Sequence, residues 1–307
     1  MNRAVGVIGL GRMGGGIAQR LTAAGFLVYG YDRASSTKAP IGVTMVSSYE
    51  NLLRATNCVL LLVPAGEIVD EVLTSLVIAK TSMKSSELVY VVDCGNSLYT
   101  DTLRRHEALV TSGVILADAG VSGGVHGVQD GYCVMVGGAL DVVAHVEPFL
   151  RAFSAPHGYA HVGPVGAGHY VKMVHNAIEY GILQAYAEGF HLLKEGHYPH
   201  LNTAELAKLW QHGSIIRSRL LELLGGVLTR PDDISQTSGV IHENGTGRWA
   251  VHEAKRRNVE LPVIAEALKV RSWSRESGGN YATKLVALLR NAFGGHAVER
   301  EKKEDEK

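Results

Sequence analysis

Over the first half of the chain, short apolar runs alternate with amphipathic stretches. Residues 4–10 are apolar and end in the glycine-rich turn Gly9-Leu10-Gly11-Arg12-Met13-Gly14; a helical period follows to about Ala24 and stops at Gly25. Further apolar runs at 26–31, 58–63, 88–92, 114–117 and 132–136 are bounded by turn residues. Strands that alternate with helical periods predict a mostly parallel, doubly wound sheet. After about Gly168 the strand-like runs stop, and helical periods cover 170–195, 203–211, 215–224, 250–257, 262–273 and 281–293. The pattern predicts an α/β N-terminal domain over 1–166 and an all-helical domain over 167–298, with the Gly- and Pro-rich stretch 163–168 as the boundary. Residues 299–307 are almost all charged and predict a solvated tail.

Composition narrows the class. The 307 residues are 46% hydrophobic, enough for a sizeable core, and Lys+Arg and Asp+Glu balance at 30 each. A neutral chain has no global field to draw nucleic acid or an anionic membrane, so any anion site must be local. Three cysteines without CxxC spacing suggest a reducing compartment rather than a disulfide framework. The first residues run straight into a strand, without the regions of a signal peptide, and the expected location is the cytoplasm. Among the 14 histidines, the pairs His157/His161 and His197/His200 sit near Gly and Pro and join no cysteine or carboxylate cluster. No metal site is expected.

Two motifs carry chemistry. Gly9, Gly11 and Gly14 follow a strand and open a helix, as in the Rossmann dinucleotide fold. The first glycine makes the tight turn, the second lets backbone approach a pyrophosphate and the third lets helix pack on strand. Asp32 closes the second strand, where a carboxylate accepts from the adenosine ribose hydroxyls and repels a 2′-phosphate. That favours NAD, while the neighbouring Arg33 leaves NADP possible. The backbone of Val63-Pro64-Ala65 ends another strand on the side where open α/β sheets hold ligands. The second motif is the helical segment 168–181, GHYVKMVHNAIEYG. Lys172, His175, Asn176 and Glu179 fall at i, i+3, i+4 and i+7 and share one face. An amine and a carboxylate two turns apart, about 10 Å along the axis, can hold a small polar substrate between a base and an acid.

Three segments resemble the 6-phosphogluconate dehydrogenases of the β-hydroxyacid dehydrogenase superfamily. Residues 93–105, DCGNSLYTDTLRR, are similar to the family's DGGNSxYxDTxRR; Val121-Ser122-Gly123-Gly124 resembles its substrate loop; and 168–181 resembles its catalytic helix almost residue for residue. Length and details such as 210–218 resemble the short bacterial-type form. The resemblance implies oxidative decarboxylation of 6-phosphogluconate to ribulose 5-phosphate. Lys172 would be the base that takes the 3-hydroxyl proton, which requires burial to lower its pKa. Glu179 would protonate the enediol carbon, which requires a raised pKa at that step. Asn96, Ser122, Gly123, Gly124, His175 and Asn176 would hold the sugar acid, with Asn96 also facing the cofactor. Tyr180, Arg275, Arg290 and His296 would hold its phosphate. The segment 290–296 resembles a family tail that enters a neighbouring subunit, so the resemblance implies a homo-oligomer, dimer or tetramer. Cys94 departs from the family's second glycine, and Asn244 stands where the long form has a phosphate-binding lysine. Two other readings compete: a β-hydroxyacid dehydrogenase that does not decarboxylate, and a catalytically silent dinucleotide-binding scaffold.

Overall fold

A computed structural model describes residues 3–34, 36–198 and 200–301. The last part of the expected tail, 302–307, lies outside the described residues. The chain divides into two compact units, Met1–Met173 and Val174–Lys307. The division falls within the long helix, somewhat beyond the Gly- and Pro-rich stretch that marks it in sequence.

The first unit runs β1 (Ala4–Ile8), α1 (Arg12–Ala23), β2 (Leu27–Tyr31), β3 (Val43–Met45), α2 (Tyr49–Ala55), β4 (Cys58–Leu61), α3 (Glu67–Ser82), β5 (Val89–Asp93), α4 (Tyr99–Leu109), β6 (Val114–Ser122), α5 (Gly127–Asp130), β7 (Tyr132–Gly137), α6 (Leu140–Phe153) and β8 (Ser154–Gly163). The strands form one sheet in the order β3-β2-β1-β4-β5-β6-β7-β8. Every neighbouring pair is parallel except β6 with β7. Chain order reverses between β1 and β4, so a crevice opens beyond their C-terminal ends, where doubly wound sheets bind ligands. β1 and β4 are buried along their whole length, which explains why they read as unbroken apolar runs. Separate cores fill the two faces of the sheet: Ile17, Leu21, Val146 and Phe149 belong to one, Leu52, Val69, Leu73 and Leu76 to the other.

Two strands escape the apolar pattern. β3 has three residues, and β8 is an edge strand with a register shift, mostly half-buried or exposed along its length. Its His157 has φ 60°, and the Nε2 of His161 faces the carbonyls of Gly138 and Gly163.

The second unit is helical: α7 (Ala167–Glu195), which begins in the first unit, then α8 (Thr203–Leu209), α9 (Arg219–Leu228), α10 (Pro231–Ser235), α11 (Thr246–Arg256), α12 (Pro262–Ser277) and α13 (Tyr281–Gly294). Leu183, Phe190, Leu221, Leu224, Leu285 and Leu289 form its core. α9 starts four residues later than the apolar pattern predicts, because the Ser218 side chain caps it by accepting from Leu221 N–H and leaves Ile215 in solvent. The charged segment after Val298 is not wholly solvated. Ser238 N–H donates to the Glu299 carbonyl, Glu301 N–H to the Gln236 carbonyl, and Thr237 and Arg300 form an antiparallel bridge. Backbone pairing holds residues 299–301 although their side chains are charged. No helix among the described residues is long and apolar enough to cross a membrane.

Candidate active site

In the first unit, the glycine turn joins β1 to α1. Gly9 has φ 89°, and a Cβ there would lie 2.5 Å from the Leu62 carbonyl oxygen; one on Gly14 would lie 1.8 Å from the Gly9 oxygen. These two positions admit only glycine. Gly11 faces open space, and it begins α1 with no side-chain cap. The Asp32 carboxylate is aimed back at this turn: Oδ2 accepts from Leu10 N–H at 2.7 Å and Oδ1 from Ala34 N–H at 2.9 Å. Arg12 and Arg33 are exposed, and Met13 is half-buried. An open cradle, an uncapped helix end and a carboxylate at the end of β2 fit a dinucleotide.

Val63-Pro64-Ala65 follows β4 with Pro64 and Ala65 exposed, and the loop containing exposed Asn96 follows β5. Asp93 braces that loop by accepting from Gly95 N–H (2.9 Å) and the Ser97 hydroxyl (2.6 Å). Arg105 joins the same region from α4. Its buried guanidinium donates to Ser97 Oγ, to the Gly66 carbonyl at 2.8 Å and to both Asp70 oxygens, tying the loops after β4 and β5 to each other. Cys94 fits where the family has glycine: it is buried, and burial pushes its thiol pKa well up. Ser122 ends β6, and Gly123 (φ 138°) and Gly124 (φ 57°) turn the chain beyond it. Lys172 is 8% exposed, and its Cβ packs against Gly120 of β6.

In the second unit, α7 carries His175, Asn176, Glu179 and Tyr180. His175 Nδ1 lies 3.4 Å from Asn176 Oδ1, Asn176 is buried and Glu179 is half-buried. The Tyr180 hydroxyl donates to Asn244 Oδ1 at 3.2 Å, so the residue at the lysine position orients the tyrosine instead. The guanidinium over the Tyr180 ring, 3.5 Å from its centroid, belongs to Arg271 and not to Arg275. Arg271 is 1% exposed, and neither terminal nitrogen has a hydrogen-bond partner among the described residues. Burial draws its pKa down to about 10, and the nearby Arg290 cation adds to that. Arg290 is also buried and its pKa is lowered by burial. Glu179 and Glu243 oppose both shifts. Arg275, one turn further along α12, donates to the Ile241 carbonyl and faces Glu243 at 3.7 Å. It is engaged there, outside the ring contact. Both arginines sit at helical spacing on α12, so periodicity alone does not separate them. The His296 ring lies against Phe293, and its carbonyl accepts from the Asn291 amide. One chain therefore already brings Arg290 beside Arg271.

A dinucleotide-binding unit followed by a helical unit, with Lys172 in the first and Glu179 in the second along one continuous helix, defines a nicotinamide-dependent oxidoreductase. Residues 4–166 match the NAD binding domain of 6-phosphogluconate dehydrogenase, and residues 168–286 match the C-terminal domain of the same enzyme. The NAD(+)-dependent, decarboxylating 6-phosphogluconate dehydrogenase of Haloferax volcanii is 37% identical over 304 residues, covering 96% of this chain and 98% of that protein. The NADP(+)-dependent, decarboxylating enzyme of Bacillus subtilis is 33% identical over 290 residues, 87% of this chain and 60% of the relative. The chain belongs to the 6-phosphogluconate dehydrogenase family. Its fold is shared more widely: a 3-hydroxyisobutyrate dehydrogenase from Mycobacterium tuberculosis superposes with a TM-score of 0.72 at 22% identity, over 94% of this chain and all of that one. The fold alone leaves the reaction open, and the site must decide it.

Proposed function

We propose that the chain oxidatively decarboxylates 6-phospho-D-gluconate to D-ribulose 5-phosphate and CO2, with NAD as the preferred acceptor. The observation that carries this reading is Arg271. A buried guanidinium with no acceptor for its terminal nitrogens, beside a second buried arginine, calls for an anion of the ligand. A small unphosphorylated hydroxy acid has only its carboxylate and no second anion for this cluster, which favours the sugar phosphate over the smaller-acid reading.

The 9–14 turn, Asp32 and the 63–65 loop would hold the nicotinamide dinucleotide, which would supply the hydride acceptor. Lys172 takes the proton of the substrate 3-hydroxyl as hydride leaves C3. The resulting β-keto acid loses its carboxylate as CO2, and the electron pair of that bond enters the new carbonyl. The Lys172 ammonium stabilises the enolate oxygen. Glu179 then delivers a proton to C2 of the enediol, completing the ketose. Asn96, Ser122, His175 and Asn176 hold hydroxyls and carboxylate, while Tyr180, Arg271, Arg290 and His296 serve the phosphate. Asp32 supports NAD over NADP, since its carboxylate repels a 2′-phosphate.

The test is CO2 released per reduced cofactor with 6-phosphogluconate, using NAD and NADP in parallel. One CO2 per NADH with faster turnover on NAD is expected. Reduction without CO2 would move the chain to the non-decarboxylating reading, and no reduction of either cofactor would leave the scaffold reading standing.

A further inference from the structure

We propose that Asp118 is a positioning residue for Lys172: its buried carboxylate is the seat on which the first turn of α7 rests, and so sets where the amine stands. This rests on the reading of Lys172 as the base.

The observations all lie in the first unit. Asp118 is 0% exposed. Its Oδ1 accepts from Gly166 N–H at 2.6 Å and its Oδ2 from His169 N–H at 2.7 Å. A helix leaves its first N–H groups without intrahelical partners, and here a residue 48 and 51 positions away in sequence takes up two of them. The His169 ring locks the arrangement from the other side. Nε2 lies 3.0 Å from the Asp93 carbonyl, which only accepts, so Nε2 carries the proton. Nδ1 lies 2.7 Å from Thr102 Oγ1 and 3.8 Å from Asp118 Oδ2. Burial raises the Asp118 pKa, opposed by His169 and the two N–H donors.

Glycines let the helix come down onto this seat. A Cβ on Gly137 would lie 2.6 Å from Asp118 Oδ1, and one on Gly168 would lie 2.5 Å from the Met135 carbonyl oxygen. A Cβ on Gly120 would lie 2.4 Å from the Lys172 Cβ. Side chains two apart on a strand share a face. Asp118, Gly120 and Ser122 therefore line one face of β6 as anchor, gap for the lysine stem, and substrate-binding hydroxyl. The strand sets the distance between helix foot and substrate loop, and Lys172, one turn past His169, inherits its place from both.

The experiment uses the full chain with Asp118→Asn, Asp118→Ser and Lys172→Met, at 25 °C on protein verified as folded by circular dichroism. It measures kcat and KM for 6-phosphogluconate, the Kd of NAD, and the deuterium isotope effect with substrate labelled at C3. Misplacing a reacting group by about 1 Å costs about 10²-fold in rate. Asp118→Asn is expected to lower kcat by roughly that factor, with KM and the NAD Kd within about threefold and a larger isotope effect. A folded Asp118→Asn with kcat within about twofold of the parent overturns the proposal, as does equal loss in kcat and cofactor binding. If neither Asp118 variant folds, the residue serves folding alone and the proposal falls. Lys172→Met separates the two readings. If it keeps turnover, the base assignment itself is wrong. If it is inactive while Asp118→Asn is normal, only the positioning role is lost.

Discussion

Replacing Arg271 by methionine should make the ligand-free protein more stable while crippling its use of a phosphorylated substrate. Its pKa of about 10, against an ordinary value above 12, corresponds to about 3 kcal/mol at ~1.4 kcal/mol per tenfold. The sign follows from the shift. A base depressed in the folded state destabilises that state wherever it is charged, which includes neutral pH, and the cost is relieved only as pH rises through about 10. Methionine removes that cost and forfeits the contact with the Tyr180 ring, worth about 1–2 kcal/mol when desolvated. A net gain of about 1–2 kcal/mol remains, or a rise in Tm of roughly 2–8 °C. Two charge-assisted hydrogen bonds to a phosphate, at about 1.5–3 kcal/mol each, should disappear and raise KM for 6-phosphogluconate by about 10²- to 10⁴-fold. Thermal melts with and without 6-phosphogluconate, beside kinetics on 6-phosphogluconate and gluconate, read both effects. A lower Tm together with an unchanged KM would show that Arg271 only braces the helices, and the anion site would have to be sought elsewhere.

Asp32→Ala should shift the kcat/KM ratio of NADP to NAD upward by about tenfold or more, since hydrogen bonds to a charged group contribute about 1.5–3 kcal/mol; an unmoved ratio would remove Asp32 from the ribose site. Of the three thiols, Cys133 is exposed, while burial pushes Cys58 up to about 12 and raises Cys94 as well. A thiol reagent at pH 8 should accordingly titrate one cysteine in the native protein and all three in denaturant; a rapid second thiol would contradict the burial of β4 and the 93–97 loop.

The doubly wound domain could be read from sequence because its central strands are buried on both faces and show as unbroken apolar runs. Gly9 and Gly14 were legible for a different reason: backbone sterics leave those positions few alternatives. β8 could not be read, because an edge strand paired on one side only needs no apolar alternation, and Pro156 and Gly158 within it look like loop. Arg271 was hidden for another reason. Four residues separate it from Arg275 on α12, and only packing decides which guanidinium is driven under the Tyr180 ring and which meets Glu243. Arg105 and Asp118 act through partners remote in sequence, so neither offers a local pattern.

Arg105 also bears on the thermodynamics of ligand capture. Its guanidinium latches the Gly66 and Ser97 loops through contacts made within the chain. Ordering a backbone costs about 1–2 kcal/mol per residue, and here that ordering is settled when the chain folds rather than when cofactor and substrate bind. Affinity is then free to come from contacts alone, and either ligand meets a loop already in shape, whichever comes first.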